Sequence, residues 1–388
     1  MKKNDVNNIE KNKMKTIFDL PEGVPPLNTF YLYMTTGCNL FCQHCWITPS
    51  FVKGKPSPGD FIDLDNLKEA VKEGKTLGLR SAKFTGGEPL LHPRFREVLD
   101  FLSDEELKLI METNATLIDA PLAKYMKENS NLWFISTSLD SHRAEFHDKF
   151  RGSQGAFEKT KKGIEHLVNA GYKPQIIMSP HKGNIKDVEE LVKLSVSLGA
   201  GSVKFNPVTP NGRGKNMFKD GKTLDFEEVM NLVRYVKGEL QDKTPIRLHI
   251  SFPPALLTIK EIIRSINRGG QCNVRSILGI LGSGEMALCG IGRNIPELCY
   301  GKLGEDSLRE VWINHPTLKK LREDLAGNYP GLCGDCIHAH MCQTECVAVN
   351  YSLTGKLVHP YYLCEDAEER GFFPDSRRRS YKSESNGE

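Results

Sequence analysis

Short β-rich runs alternate with longer amphipathic runs through the first two-thirds of the chain. Segments dense in β-branched and aromatic residues at Phe30–Thr36, Ser81–Thr85, Lys108–Glu112, Trp133–Ser138, Gln175–Ser179 and Ser202–Asn206 predict strands. Apolar residues recurring three and four apart predict helices over Leu64–Leu77, Phe95–Leu102, Pro121–Glu128, Gly155–Asn169 and Ile185–Leu198. Two of these run into a glycine stop, in LVNAGY and SVSLGA. A further helix, Asp225–Glu239, follows a longer loop. A helix after each of the first five strands implies parallel strands joined by right-handed crossovers. The predicted class is therefore α/β. Six such units are too few for a closed eight-fold barrel and suit a partial, TIM-like (β/α)6 barrel, with chemistry at the C-terminal ends of the strands.

The texture changes after about residue 266. Gly and Cys rise, strands shorten, and helical periodicity survives only around Ser307–Leu325. The pattern divides the chain into a polar arm over 1–27 ending in Pro25-Pro26, an α/β core over 28–225 and a bridging helical segment over 226–265. A small Cys-rich domain over 266–365 and a charged tail over 366–388 follow. Arg377-Arg378-Arg379 in that tail reads as solvated surface.

Composition narrows the classes. A net charge of +3 over 388 residues is too mild for a nucleic-acid binder. No run approaches the roughly 18 apolar residues of a membrane span, so no membrane association is expected. The polar start MKKNDVNNIEKNKMK has no apolar core of a secretory signal, which points to the cytoplasm. There disulfides are disfavoured, and 11 cysteines need another role. Three fall within 38–45 and the remaining eight between 272 and 364, flanking a body without cysteine.

Cys38-x3-Cys42-x2-Cys45 lies directly after the first predicted strand. Three thiolates on a tight loop can hold three irons of a [4Fe–4S] cubane, leaving the fourth open to a chelating substrate. Zinc would ask for a fourth N or S ligand, for which only His44 is near. A ferredoxin run would use shorter spacings and a Cys-Pro end. The loop resembles the signature of the radical S-adenosylmethionine (SAM) superfamily, and residues 28–225 resemble that family's core throughout. The resemblance implies a cluster on Cys38, Cys42 and Cys45 that binds SAM. It further implies adenine contact by His44 and binding of the SAM amino group around Gly86-Gly87-Glu88 in TGGEP. Ser138 in SLDS and Arg151 in HDKFRG are implied to hold ribose or carboxylate, with Asn206 a further adenine contact. TGGEP read alone is also an ordinary glycine turn. Glu112 and Asn114 sit at a strand end where they could face SAM, and Asn114 could equally cap a helix.

Cys272, with Gly284 and Cys289 behind it, precedes Cys333-x2-Cys336-x5-Cys342-x3-Cys346 and then Cys364. These seven resemble the SPASM module, which carries auxiliary clusters beside many peptide-modifying radical SAM cores. By that resemblance Cys333, Cys336, Cys342 and Cys364 hold one auxiliary [4Fe–4S] cluster, and Cys272, Cys289 and Cys346 hold another that is one ligand short. Structural zinc suits a CxxC paired with a CxxxC as well. Cys299 stands outside the pattern: a buried thiol, the missing ligand, or a hydrogen donor to a substrate radical.

The whole chain, with CNLFCQHCWITPSF, VKFNPVTPNGRG and CEDAEERGFFP, resembles maturases of ribosomally made peptides, in particular those of SynChlorMet-type cassettes. The implied reaction is reductive cleavage of SAM to a 5′-deoxyadenosyl radical and hydrogen abstraction from a short precursor peptide. A thioether or C–C crosslink, or epimerisation, would follow. The implied partners are that peptide and an electron donor such as flavodoxin or ferredoxin. About 27 residues before the first strand are too few for a domain, so leader recognition is expected to use another surface or a separate leader-binding protein, or to be absent. Competing readings are an anaerobic sulfatase maturase, a tetrapyrrole-modifying radical SAM enzyme, and a non-catalytic Fe–S carrier or zinc module. No G-x-G-x-x-G follows the first strand, which disfavours a dinucleotide-dependent dehydrogenase.

Overall fold

The computed structural model describes residues 18–52, 55–57, 59–266 and 273–380. The expectations for residues 1–17, Cys272 and 381–388 lie outside them.

The six expected strands all form: β1 Thr29–Tyr33, β2 Ser81–Thr85, β3 Lys108–Thr113, β4 Leu132–Ser138, β5 Gln175–Met178 and β6 Ser202–Phe205. Each pairs in parallel with the next in the chain. Helices α1 Leu64–Thr76, α2 Phe95–Asp104, α3 Ala120–Glu128, α4 Ala144–Arg151, α5 Ala156–Asn169 and α6 Val188–Ser197 fill the crossovers. Side chains alternate along the strands. Phe30, Leu32, Ala82, Phe84, Leu109 and Met111 face the helices and are completely buried. The residues between them include Tyr31, Lys83 and Glu112, which are polar and turn inward, as a barrel lumen requires.

The sheet is wider than six strands. After α7 Gly214–Lys219 and α8 Phe226–Tyr235, the chain returns as a seventh parallel strand, β7 Arg247–Ile250, beside β6. That stretch falls in the segment expected to be helical throughout. Its RLHI run is too short to show periodicity, and only pairing with β6 reveals it. On the far side of β1, β8 Ile277–Ile280 adds in parallel, followed by antiparallel β9 Glu285–Ala287 and β10 Cys299–Lys302. The ten-stranded order is β10-β9-β8-β1-β2-β3-β4-β5-β6-β7. The start of the Cys-rich region thus shares a sheet with the core.

Beyond α9 Ile259–Ile266, the periodicity around Ser307–Leu325 resolves into two helices, α10 Leu308–Asn314 and α11 Pro316–Leu325. Pro316 takes the first helical position of α11, where its missing N–H costs nothing, and so ends α10 before it. Trp312 on α10 is buried, donates from its indole N–H to Pro25 O at 3.0 Å, and lies under the Arg322 guanidinium at 4.5 Å. It ties the C-terminal helices to the segment entering β1. Among the described residues no helix is long and apolar enough to cross a membrane. Trp312→Ala is expected to cost about 3–5 kcal/mol of stability, read by chemical denaturation. A loss below about 1 kcal/mol would contradict this anchoring role.

Candidate functional site

The cysteine loop begins where β1 ends, and main-chain bonds continue the β1–β2 pairing past both strands. Gly87 N donates to Thr35 O and Glu88 N to Gly37 O, each at 3.0 Å. The approach is so close that a Cβ on Gly87 would lie 1.5 Å from Gly37 O. Gly86, at φ +124°, takes a backbone conformation that side chains disfavour. The glycine pair is therefore a packing requirement for the cysteine loop.

The other wall of the loop is the C-terminus of α4. Phe41 N and Gln43 N donate to the carbonyls of Arg151 and Phe150, both at 2.9 Å. Gly152 ends α4 in the left-handed conformation. These ties leave Cys38 and Cys42 buried and Cys45 half-buried. Cys38 Sγ accepts from Leu40 N at 3.4 Å, and Asn114 Nδ2 reaches it at 4.0 Å. Arg151 is buried, donates from Nε to Asp140 at 2.5 Å, and places Nη1 3.6 Å from Cys42 Sγ. Burial pushes the Cys42 thiol up, and the Arg151 charge acts against it. Burial also opposes ionisation of Asp140, yet Arg151, together with His44, His147 and the Ser179 N–H, holds that carboxyl below the usual range.

Each expected SAM contact has a definite place. His44 is half-buried, with its ring stacked on Phe150 at 4.4 Å, and Phe150 stacks in turn on His181 at 4.4 Å. Burial, with help from Arg151, lowers His44 to about 3, so the ring is neutral. Glu88 turns inward: its carboxylate accepts from Thr113 Oγ1 at 2.7 Å, Asn114 N at 2.8 Å and Leu90 N at 3.2 Å. Burial raises it to about 7 despite those bonds. Glu88 thus latches the end of β2 to the end of β3. Ser138 is half-buried at the end of β4, and Asn206 is exposed just after β6. Glu112 pairs with Lys83 at 2.6 Å inside the lumen. Asn114 is engaged with Asn39 at 2.8 Å as well as with Cys38.

Sequence reasoning passed over Asp140, although it stands inside SLDS, and the lumen lysines Lys83 and Lys204. It also passed over Glu345, whose Oε2 is buried with no hydrogen-bond partner. Burial lifts Glu345 to about 7, and Lys204 counters it. Lys204 also acts on Glu112, so charges of both signs share the lumen.

In the C-terminal region Cys333, Cys336, Cys342 and Cys364 are drawn together. After burial, the pressure raising the Cys364 thiol comes from Cys342, Cys333 and Cys336. Cys333 is pushed up to about 12 by burial and by Cys336. Cys346 lies instead among Tyr361, Tyr362 and Glu345. Cys289 and Cys299 flank the Tyr300 phenol. Cys299 donates to Gly292 O at 3.5 Å, and burial raises its thiol to about 11. Between Cys342 and Cys346 three consecutive residues, Gln343, Thr344 and Glu345, have φ of 51°, 61° and 60°. Non-glycine residues rarely hold that conformation. Asn350 Nδ2 steadies it, donating to Thr344 O at 3.1 Å and Thr344 Oγ1 at 3.0 Å. Among the described residues no three Cys, His, Asp or Glu side chains converge on a single-ion site.

A partial parallel barrel with three thiols on the loop after β1 defines a class: an enzyme with its chemistry at the barrel mouth. Residues 32–195 match the family model described as the Radical SAM superfamily, and the chain is a radical SAM enzyme. It is similar to the AdoMet-dependent heme synthase of Methanosarcina barkeri, 29% identical over 345 residues, covering 85% of this chain and 94% of that one. It is also similar to the antilisterial bacteriocin subtilosin biosynthesis protein AlbA of Bacillus subtilis, 26% identical, covering 78% of this chain and 65% of that one. The fold is shared with Streptococcus suis SuiB bound to precursor peptide SuiA, with a TM-score of 0.68 at 16% identity, covering 88% of this chain and 76% of that one.

A [4Fe–4S] cluster and SAM belong to this family, and the donor set fits them. Burial drives the Cys38 and Cys42 thiols away from ionisation, so thiolates there need a cationic centre. Gly87→Ala should overpack the loop at a cost of about 1–3 kcal/mol and reduce SAM affinity about tenfold, read by equilibrium binding. Arg151→Met leaves Asp140 buried and unpaired, which should destabilise the fold by about 3–5 kcal/mol in denaturant. Adding Asp140→Leu to it should restore much of that loss.

Proposed function

We propose that the chain is a peptide maturase, with Cys38, Cys42 and Cys45 holding the SAM-binding cluster and the C-terminal cysteines holding auxiliary clusters. Cys333, Cys336, Cys342 and Cys364 hold one of these, and Cys289 and Cys346, with Cys272, serve the other. Bound SAM and its cluster supply one-electron chemistry able to remove hydrogen from an unactivated carbon. The protein supplies position and exclusion of water. Arg151, anchored on Asp140, sets a fixed positive charge beside Cys42. Neutral His44, stacked on Phe150, presents a flat edge at the loop.

The observation that carries the peptide reading is the mixed charge of the lumen. Lys83 and Lys204 share the lumen with Glu112, which pairs with Lys83 at 2.6 Å. Such a lining offers donors and acceptors of both signs, which suits the amides and mixed side chains of a peptide. A substrate rimmed only by carboxylates would call for surplus cations instead. Similarity to the bacteriocin biosynthesis protein AlbA agrees with this reading. The near full-length likeness to AdoMet-dependent heme synthase favours a second one, a tetrapyrrole substrate.

The test is anaerobic incubation of the reconstituted protein, SAM and reductant with a short peptide encoded beside its gene, and in parallel with an iron porphyrin bearing carboxylate side chains. A peptide mass lower by about two units per modified site is expected, for a crosslink formed by oxidation. Peptide unchanged while the porphyrin loses carboxyl groups would overturn the peptide reading in favour of the second. Lys204→Ala should raise the KM for peptide about tenfold while leaving SAM affinity unchanged.

A further inference from the structure

We propose that the outer face of the cysteine loop, together with α7, is the docking surface for an acidic protein that carries single electrons. The inference rests on the reading that Cys38, Cys42 and Cys45 hold the redox cluster, and it adds where the electron enters. Side chains alternate along that loop. Cys38, Leu40 and Cys42 are buried, whereas Phe41 is 50% exposed and Gln43 between the thiols is exposed. The side of the loop opposite the thiols is therefore open to solvent.

Two further exposed aromatic residues lie on the flanking segments, Trp46 at 38% directly after Cys45 and Phe218 at 45% on α7. They are joined through the 211–219 segment. Arg213 N donates to Cys45 O at 2.9 Å, and its guanidinium lies 3.9 Å over the Phe41 ring. Gly212 packs so tightly on the carbonyls of Cys45 and Trp46 that a Cβ there would lie within 2.6 Å of both. Large apolar side chains grouped on a surface and rimmed by charge mark a contact site.

The rim is positive. Lys215 and Lys219, with Phe218, occupy one exposed face of α7 at helical spacing. Lys149 is exposed on α4, and its carbonyl accepts from Gln43 Nε2 at 3.1 Å. Among the described residues Lys149, Lys215 and Lys219 enter no ion pair. The acids nearby are engaged: Asp148 accepts from Gly155 N and Phe157 N, and Asp220 pairs with Lys222 at 2.8 Å. Glu145 stands one turn before Lys149 on the same exposed face of α4, so the unbalanced lysines are Lys215 and Lys219. An apolar centre with unbalanced lysines fits an acidic partner, steered by charge and seated on the aromatic rings. The step is an electron transfer alone: the carrier loses one electron, the cluster gains one, and no bond is made or broken.

The experiment follows bleaching of the cluster's visible absorbance, so substrate turnover does not enter. Reconstituted protein is mixed anaerobically with reduced flavodoxin, or separately with dithionite. With flavodoxin, Lys215→Glu/Lys219→Glu should slow bleaching at least about tenfold, and the unmodified protein should slow as salt is raised from about 20 to about 300 mM. Dithionite should bleach both proteins equally, and Lys319→Glu on α11 should change neither rate. Lys215→Gln/Lys219→Gln should show a smaller loss and a weaker salt dependence. Flavodoxin reducing the charge-reversed protein at the unmodified rate, or a salt-independent rate, would overturn the proposal, as would an equal slowing with both reductants. Failure of dithionite to bleach any cluster would instead remove the three-thiol reading beneath it.

Discussion

The site is set by a contact between two stretches of main chain. Where β1 and β2 end, Gly87 runs against Gly37 without space for one carbon atom, and two hydrogen bonds at 3.0 Å zip the stretches together. The turn carrying the three thiols has to leave β1 in the direction this zipper allows. Glu88 extends the constraint to β3 through Thr113 and Asn114, and Asn114 reaches back to Cys38. Three strand ends and one loop therefore hold each other, and the thiols take their places as a consequence.

The Asp140–Arg151 pair does the same work from the other side. A buried ion pair is a poor source of net stability, because desolvation offsets most of its attraction. Its value here is placement. Asp140 is held by Ser179 N at 2.8 Å, Arg151 is held by Asp140, and the guanidinium stands against Cys42. A cation in that position favours the ionised sulfur that iron ligation requires. In the C-terminal region Arg379 and Arg377 act on the Cys336 thiol in the same sense. There the left-handed run Gln343–Glu345, steadied by Asn350, shapes the turn between Cys342 and Cys346.

The charge of Lys204 bears on both the core and the C-terminal region. Lys204 on β6 acts both on Glu112 of β3 and on Glu345, the residue before Cys346. β8 to β10 join the core sheet at β1, so the region after residue 273 is built onto the barrel wall at the strand that feeds the cysteine loop.

The sequence by itself determined the local features. Six strands and their helices were legible because one-sided burial leaves a periodic trace that survives without any partner. The two groups of cysteines were legible because spacing is a property of adjacent residues. Tertiary structure decided what depends on chain segments far apart. β7 is four residues long and exists through pairing with β6; the helix over Ser307–Leu325 divides at Pro316, a break that periodicity alone does not mark. Whether Glu88 faces outward or latches β3, and whether Arg151 is free or spent on Asp140, turns on desolvation and partners that no window of sequence contains. The same holds for Glu345, an ordinary acid between two cysteines until folding buries it within reach of Lys204. Burial and long-range charge arise only when distant segments meet, so the chemistry of these groups appears with the fold.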